Sequence, residues 1–497
     1  MTGQHVVMVV GNPVEPDNRV RKTAQSLAGD GYRVTLVGVG SGRRTREEYY
    51  GPVRVLHVPV PPTQKALVQP LVDRVAARPR FVLDPVRANG LMARLAARAS
   101  VLDGDLAIAA DARSSRRGAG AALAAERASL QVTRALLEVR RRAGDPDDPV
   151  GRVLAGMQRR LPSPPRLVRT TVDFAEVLDL EVMFGPVLDR LAADVVHAHD
   201  VHVLGVAARA VARGRTQGRP VRLVYDAHEY TPGLAHYSPR RVAAMTRHEA
   251  RYIGRADVVT TVSAQIAEQM RLRHRLGVRP LVVHNAPSVR ARDVPVQPGL
   301  RARLGIADDQ HVVVYSGNVG NRRGDLLLVQ ALAHLPPDVH VLLITSAGGS
   351  SYLKAHANEV AGAGTGDRFH VLPYVPTDQI VSFLSGATVG FHGLAPGSAN
   401  HEMALPNKLF EYMHAGLPVV VSRARTMAAF VAEHGIGQSF APGDPRDLAQ
   451  RIESVIAARA RYAAQLQPGS PLLERYSWER EEATLLGAYR GLDLDGA

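Results

Sequence analysis

Two stretches far apart in the chain repeat one pattern, and this repeat constrains the fold more than any other feature. QHVVMVVGN (4–12) and QHVVVYSGN (310–318) are apolar, β-branched runs that end in Gly-Asn, which predicts a buried strand and a tight exit turn. A basic, helix-like stretch follows each run, and about 28 residues on comes a second strand, YRVTLVG or VHVLLIT. Two such βαβ openings predict parallel sheets and two doubly wound, Rossmann-like α/β domains in tandem.

Further apolar runs extend both predicted sheets. In the first half they are DVVHAHD (194–200), VRLVYDAHE (221–229), DVVTTVS (257–263) and LVVHNAP (281–287). In the second half they are RFHVLPYVP, ATVGFHGLAP and LPVVVS. The first-half runs end in polar or aromatic residues, and ligands bind at the carboxyl ends of strands in open α/β sheets.

The order of these elements gives the domain organisation. We expect an N-terminal domain at 1–287, a linker at 288–300 and a C-terminal domain at 301–472. A final amphipathic helix, 473–497, is expected to cross back to the N-terminal domain. Residues of about 60–185 have the composition of helices and form a predicted insertion in the first domain.

Composition narrows the function classes. The chain has no cysteine, which excludes disulfides, thiolate catalysis and cysteine zinc sites. GNPVEP and GNVGNRRG do not match GxGxxG, and neither second strand ends in the acidic residue that a dinucleotide ribose needs. We therefore expect no cofactor. The start of the chain lacks a signal-peptide pattern and no run reaches the length of a membrane span, so a cytoplasmic protein is expected.

The net charge of +14 invites a nucleic-acid interpretation, but its distribution argues against one. Residues 61–170 hold 20 Lys and Arg against 10 Asp and Glu, with Phe81 as the sole aromatic residue. Single-strand binders interleave basic residues with stacking aromatics. The helical spacing of Ala125, Ala128, Val132 and related positions predicts a weakly apolar face, and another face carries Arg127, Arg134 and Arg141. An arginine-rich solvated surface remains the alternative.

The turn GNVGNRRGD in the second half is a candidate phosphate site. It follows a strand and opens a helix, so backbone N–H groups from Gly317 and Asn318 onward can face a phosphate, and Arg322 and Arg323 can add fixed charge. A plain β–α turn with surface arginines is the alternative.

The stretch ALPNKLFEYM is the second candidate. Pro406 and Asn407 set a helix start, Lys408 stands near its positive end and Glu411 lies one turn in. A carboxylate there can accept hydrogen bonds from two ribose hydroxyls. A glutamate that only favours the helix dipole is the alternative.

Taken in order, these motifs resemble the family 4 glycosyltransferases of the GT-B fold, in which two Rossmann-like domains face a cleft. The resemblance covers nearly the whole chain outside 60–185. It is carried by NRVRKTAQSLAGDGYRVTLVG, DVVHAHD, YDAHE, ADVVTTVS, VVHNAP, YSGNVGNRRGDLLLVQAL, PNKLFEYMHAGLPVVVS and YSWE.

The resemblance implies roles for individual residues. Glu411 matches the second glutamate of the family's E-x7-E motif, which holds the donor ribose. Met403 occupies the first glutamate's position and Glu402 is one residue out of register, so Glu402 or a backbone amide near Ala404 is expected to face the donor sugar.

On the acceptor side, the resemblance places His199 beside the reacting sugar, and for that reason we expect His199 to act in catalysis. His228 and Glu229 match the loop that faces the cleft. The N-terminal loop carries Asp17 and Arg19 in place of the family's Gly-Gly pair.

The implied reaction is retaining transfer of a sugar from a nucleoside diphosphate sugar to a glycan, lipid-linked or small-molecule acceptor. Neither a DxD motif nor a histidine cluster accompanies these motifs, so we expect no metal ion. We also expect peripheral attachment to an anionic inner membrane surface and no nucleic-acid partner. The alternatives are a sugar-nucleotide 2-epimerase of the same fold and a non-enzymatic nucleic-acid-binding protein.

Overall fold

The computed structural model describes residues 3–15, 17–60, 85–111, 119–143, 149, 176–319, 324–360, 366–395 and 397–492. The chain forms two compact units. The first comprises Met1–Ala227, Pro239–Val259 and Arg490–Ala497, and the second comprises His228–Ser238 and Thr260–Tyr489. Both units are discontinuous in sequence, and the predicted boundaries at 287, 301 and 473 stay predictions.

Two largely parallel sheets organise the fold. The strands are β1 His5–Val10, β2 Arg33–Gly40, β3 Arg46–Tyr50, β4 Val53–Pro59, β5 Val195–His199, β6 Arg222–Ala227, β7 Val258–Thr261, β8 Leu281–Val282, β9 His311–Ser316, β10 Val339–Thr345, β11 Phe369–Pro373, β12 Val389–His392, β13 Val419–Ser422 and β14 Gly437–Phe440. The first sheet has the order β3-β4-β2-β1-β5-β6-β7-β8 and the second β11-β10-β9-β12-β13-β14. The predicted fold class is confirmed.

Helices connect these strands. They are α1 Asn18–Gly29, α2 Pro85–Ala110, α3 Ala119–Ala143, α4 Glu176–Leu191, α5 Val201–Thr216, α6 Pro239–Tyr252, α7 Ala264–His274, α8 Leu300–Leu304, α9 Asp325–Ala331, α10 Ala347–Val360, α11 Ile380–Leu384, α12 Ala399–Met403, α13 Asn407–His414, α14 Arg425–His434, α15 Pro445–Ala457, α16 Arg459–Ala463, α17 Pro471–Arg475 and α18 Trp478–Arg490. Among the described residues, none of these helices combines the length and apolar character needed to cross a bilayer.

The central strands are buried on both faces, as continuous apolar runs in parallel sheets require. Every residue of β1 and of β10 is buried. In the second unit, Leu342 packs into one core with Phe410, whereas the next residue, Leu343, packs into a second core with Leu448. Side chains alternate between faces along a strand, so helices cover this sheet on both sides.

Three strands, β3, β4 and β14, were not predicted, and for the two at the sheet edges, β3 and β14, the reason is local. REEYY in β3 is charged and almost wholly exposed, and it pairs antiparallel with β4. The β14 strand has only four residues, GQSF, and two of them are polar. Edge strands of this kind lack the apolar alternation that sequence analysis detects.

The described parts of the insertion are helical, but the predicted apolar face of α3 is wrong. Leu130 and Leu137 of α3 pack with Leu95 and Leu102 of α2. Val132, assigned to the apolar face, is 58% exposed. Leucines bury more apolar area than the alanines nearby, so they decide which face packs.

A buried ionic network connects the insertion to the rest of the first unit. The Arg209 side chain on α5 is fully buried and donates to Glu181 on α4 at 2.7 and 2.9 Å. It also donates to the Tyr252 hydroxyl at 2.7 Å, which donates to Asp105 on α2 at 2.8 Å. Burial acts to lower the pKa of the Arg209 guanidinium, but the charges of Glu181 and Asp105 outweigh it and raise that pKa.

Candidate active site

In the first unit, three buried side chains meet where β5 and β6 end. His199 and Asp226 are register partners on these strands, and His199 Nδ1 lies 3.1 Å from Asp226 Oδ2. Arg19, in the first turn of α1, donates to both oxygens of Asp226 at 2.6 and 2.7 Å. All three are at most 4% exposed. The carboxylate therefore fixes the orientation of the imidazole, and the guanidinium balances the buried charge.

His197 adds a second imidazole to this cluster. Its ring stacks on His199 with centroids 4.1 Å apart, and His197, His199 and Asp226 bring one ligand atom each to within 4.8 Å of one another. However, both oxygens of Asp226 accept from Arg19, whose positive charge opposes a bound cation. We interpret the group as a hydrogen-bonded cluster, and the expectation of no metal stays a prediction.

Asp17 serves the fold at this position. Its Oδ1 accepts from the Val20 amide at 3.3 Å as the N-cap of α1, and its Oδ2 accepts from Asn12 Nδ2 at 3.1 Å. Such a cap satisfies a helix N–H group. A contact of Asp17 with an acceptor stays a prediction.

The loop after β6, which carries His228 and Glu229, belongs to the second unit. Glu229 Oε1 accepts from Asn400 Nδ2 on α12 at 3.3 Å. His228 and Glu229 are both partly exposed. Both residues were predicted to lie on the acceptor side, and that role stays a prediction.

The turn after β9 has a constrained backbone. Gly317 has a φ of +153°, and a Cβ there would lie 3.1 Å from the Tyr315 hydroxyl. The Asn318 carbonyl accepts from the Tyr315 hydroxyl and its Oδ1 accepts from the Tyr374 hydroxyl, both at 2.6 Å. Two tyrosines thus hold Asn318 in place. Arg322 and Arg323 lie outside the described residues, so their roles stay predictions.

The α13 helix begins where the sequence predicts. Pro406 is the N-cap and Asn407 the first helical residue. The Glu411 side chain is 11% exposed, and Lys408 Nζ donates to its two oxygens at 2.8 and 3.0 Å. A buried carboxylate and an ammonium group are therefore held together near the positive end of a helix.

Tyr412 attaches this helix to the strand ends. Its hydroxyl donates to the Phe391 carbonyl at 3.0 Å and accepts from the Ser316 amide at 3.1 Å. Complete burial raises the pKa of this phenol well above its ordinary value. The α13 helix is thereby fixed to β9 and β12, and Glu411 is positioned by a rigid support.

Glu402, a candidate for the donor-sugar contact, is engaged elsewhere. Its Oε2 accepts from the Arg425 amide at 2.9 Å, so it satisfies an N–H group at the start of α14. Four residues with contacts at these positions were not predicted from the sequence, namely Asp226, His197, Tyr412 and Asn400. Asp226 had a detectable signal, because it lies next to the last residue of β6, the strand that pairs with that of His199, at the same edge of the sheet.

Two family models match the chain. The model described as Glycosyltransferase Family 4 matches residues 122–287, and the model described as Glycosyl transferases group 1 matches residues 296–468. D-inositol 3-phosphate glycosyltransferases are among the similar proteins. That of Xylanimonas cellulosilytica is 28% identical over 40% of this chain and 46% of its own length. That of Geodermatophilus obscurus is 27% identical over 60% of this chain and 66% of its own length.

Solved structures share the fold over almost the whole chain. Sucrose-phosphate synthase from Thermosynechococcus elongatus matches with a TM-score of 0.62 and 15% identity, covering 98% of this chain and 99% of that one. Anabaena Alr3699/HepE in complex with UDP and glucose matches with a TM-score of 0.56 and 16% identity, covering 98% and 100%. Neither the epimerase nor the nucleic-acid alternative is favoured by these matches. The family models, the relatives and the two parallel sheets agree, and the chain belongs to the GT-B glycosyltransferases.

Proposed function

We propose that this chain transfers a sugar from a nucleoside diphosphate sugar to an acceptor hydroxyl, with retention at the anomeric carbon. The observation that carries the proposal is Glu411, a largely buried carboxylate one turn into α13. Its two oxygens suit the two neighbouring hydroxyls of a ribose. The UDP and glucose named for the HepE structure support a donor of this class.

Charge on the departing diphosphate has to be stabilised for the reaction to proceed. Lys408 Nζ lies beside the nucleotide-binding carboxylate, and the amide groups at the start of α13 add the positive end of a helix dipole. Arg322 and Arg323 are the proposed further contacts. Fixed positive groups of this kind can stabilise the diphosphate charge without a divalent ion, so we propose metal-independent transfer.

For retention, we propose attack on the same face as the leaving group. The bond from the anomeric carbon to the diphosphate breaks as the acceptor oxygen bonds to that carbon, and the departing phosphate oxygen takes the acceptor proton. His199 lies beside the sugar in this scheme. Asp226, held by Arg19, keeps the imidazole in one orientation, which a group aimed at a short-lived transition state requires.

The acceptor is proposed to be a glycan, a lipid-linked sugar or a small polyhydroxylated molecule. The relatives are named D-inositol 3-phosphate glycosyltransferases, after a molecule with a hydroxylated ring, and this supports an acceptor of that kind. A cytoplasmic enzyme held reversibly at an anionic membrane fits the exposed Arg134 of α3. Arg127, however, is paired with Asp103 at 2.7 Å, which reduces the charge available for that attachment.

A panel of nucleotide sugars tests the proposal. A bound donor at about 100 times its Kd should stabilise the fold by about 2.7 kcal/mol, which a thermal shift detects for UDP-, GDP-, ADP- or dTDP-linked sugars. The donor so found is then incubated with candidate acceptors, and the anomeric configuration of the product is read by NMR. If none of these donors shifts the Tm and none is consumed, the proposed function is wrong.

A further inference from the structure

The end of α7 and the turn that follows it form a basic surface, which we call the α7 tip and define as residues 271–279. Its sequence is RLRHRLGVR. No acidic residue occurs from 269 to 292, whereas six arginines do. This stretch therefore carries a local excess of positive charge that its own sequence does not offset.

The chain turns sharply at the end of α7 and runs back along the helix. Arg275 ends the helix with a φ of +53°, and the Leu276 amide donates to the Arg271 carbonyl at 3.0 Å. Glycine is the usual residue in this left-handed conformation. Arg279 then donates to the Ala264 carbonyl, at the start of the same helix, at 2.7 Å. These bonds fix both ends of the turn against α7, so its side chains keep their places.

Two apolar side chains of the α7 tip are exposed to solvent. Leu272 is 55% exposed and Val278 is 80% exposed. Leu272 lies one helical turn after Glu268, and residues four apart share a helix face. Glu268 Oε2 in turn lies 4.0 Å from Arg279 Nε, and Val278 precedes Arg279 in the chain. The two apolar side chains are therefore both close to the Glu268–Arg279 pair.

The arginines of the α7 tip outnumber their counter-charges. Glu268 accepts from Arg271 at 2.7 and 3.1 Å and is also the acidic partner of Arg279. Arg273 and Arg275 are exposed and have no ion pair within the part of the chain that the structure describes. Two guanidinium groups whose charge is not neutralised locally thus accompany the exposed leucine and valine.

This combination of side chains suits an anionic bilayer better than a nucleic acid. Basic side chains are attracted to acidic headgroups, and apolar side chains beside them can enter the boundary between headgroups and acyl chains. Single-stranded nucleic acids are bound with the help of aromatic side chains on which bases stack. Residues 264–283 contain no Phe, Tyr or Trp.

We propose that the α7 tip is the surface through which this protein contacts an anionic membrane. Leu272 and Val278 enter the headgroup region, and Arg273 and Arg275 bind acidic headgroups. The inference rests on the proposed attachment to a membrane and assigns it to a surface other than the basic face of α3. Two apolar side chains are too few to hold the protein without charge attraction, so binding is reversible and is lost at high salt.

Sedimentation of the full chain with phosphatidylglycerol vesicles at low salt tests the assignment. Arg273→Glu with Arg275→Glu should weaken binding at least 30-fold, the equivalent of about 2 kcal/mol, because each arginine near an anionic leaflet contributes roughly half of that. Leu272→Ser with Val278→Ser should weaken binding about 5- to 10-fold, because less apolar area leaves water. Phosphatidylcholine vesicles, which carry no net charge, should sediment little of the parent protein.

Arg459→Glu with Arg461→Glu is the matched control. These two arginines lie in α16 at the same spacing, are exposed and undergo the same change of charge. The control should bind phosphatidylglycerol vesicles within about threefold of the parent. A Tm close to that of the parent should show that each variant is folded.

The outcomes separate this inference from the functions on which it rests. Parent-like vesicle binding by both α7 variants, or an equal loss in the control, contradicts the assignment. Loss of binding to a single-stranded oligonucleotide with unchanged vesicle binding would assign the α7 tip to a nucleic acid instead. A parent protein that sediments with no vesicle contradicts the proposed attachment itself. Donor binding, measured by thermal shift, tests the proposed sugar transfer independently of all these results.

Discussion

Replacement of Glu411 is the most informative perturbation of the donor site. In Glu411→Ala, both ribose hydroxyls lose a charged acceptor. Hydrogen bonds to charged groups contribute about 1.5–3 kcal/mol each, but Lys408 already donates to both oxygens of this carboxylate. Because a bound ribose must share the carboxylate with Lys408, we expect a total loss of about 2–4 kcal/mol. This corresponds to a roughly 30- to 700-fold increase in the Kd for UDP or GDP.

A graded substitution tests the electrostatic part of this reasoning. Glu411→Gln keeps one acceptor oxygen but no charge, and neutral hydrogen bonds are about half as strong. We expect it to lose about 1–2 kcal/mol, roughly a 5- to 30-fold increase in Kd. Calorimetric titration with each nucleoside diphosphate measures both variants. Glu453→Ala, a change at an exposed position of α15, is the control and should bind like the parent.

The fold should survive both substitutions. The Lys408 side chain is 20% exposed, so its ammonium can turn to water when its partner is removed, and no buried charge is left unpaired. A denaturation midpoint close to that of the parent is therefore expected. If Glu411→Ala binds UDP and GDP as tightly as the parent, the ribose assignment is wrong.

Four further outcomes are expected. Activity persists in excess EDTA, because fixed positive groups stabilise the diphosphate; loss on chelation and recovery with Mg²⁺ or Mn²⁺ would disprove this. His199→Ala lowers kcat roughly 100-fold or more, the size of effect expected when one group that stabilises a transition state is removed, with donor Kd within about twofold, whereas equal losses would indicate a folding role. Arg209→Met lowers the free energy of unfolding, measured in urea, by about 3–5 kcal/mol, because Glu181 stays buried without its main partner. The double variant Arg209→Met with Glu181→Leu should regain most of that free energy. If the double variant is as unstable as Arg209→Met, the electrostatic explanation is wrong. Phosphatidylglycerol vesicles sediment the protein at low salt but not at high salt, and no sedimentation at low salt excludes membrane attachment.

The long strands were predictable because their sequence signal is local. HVVMVV and HVVVYS are each a β-branched run buried in a parallel sheet, and burial on both faces removes any need for polar alternation. REEYY in β3 gave no such signal because it is exposed at a sheet edge. Its strand conformation depends on pairing with β4, which is a tertiary contact.

The site residues also fall into two groups, those with a local sequence signal and those that depend on tertiary contacts. Glu411 was predictable because a single glutamate in the apolar stretch LFEYM is conspicuous within one helix. Asp226 was not singled out, since its importance comes from register with His199 and from an arginine 207 residues away in sequence. The hydrogen bond from Asn400 to Glu229 likewise joins residues that are 171 positions apart. The pairing of Asp226 with His199 could be suspected from the two strand ends, but the contacts with Arg19 and Asn400 have no local sequence pattern.

The buried Arg209 network sets a limit on how this protein can be shortened. The insertion that contains α2 is an obvious segment to trim for crystallisation or expression. Removing it deletes Asp105, which accepts from the Tyr252 hydroxyl at 2.8 Å and from Arg251 at 2.7 Å, and exposes the side of α5 that α2 covers. A chain shortened in this way would keep the buried Arg209 guanidinium but would lose the negative charge of Asp105, which lies 3.8 Å from it. Shortening the insertion at α2 therefore requires Arg209 and Glu181 to be replaced together by apolar residues, because either one alone would be left as a poorly compensated buried charge.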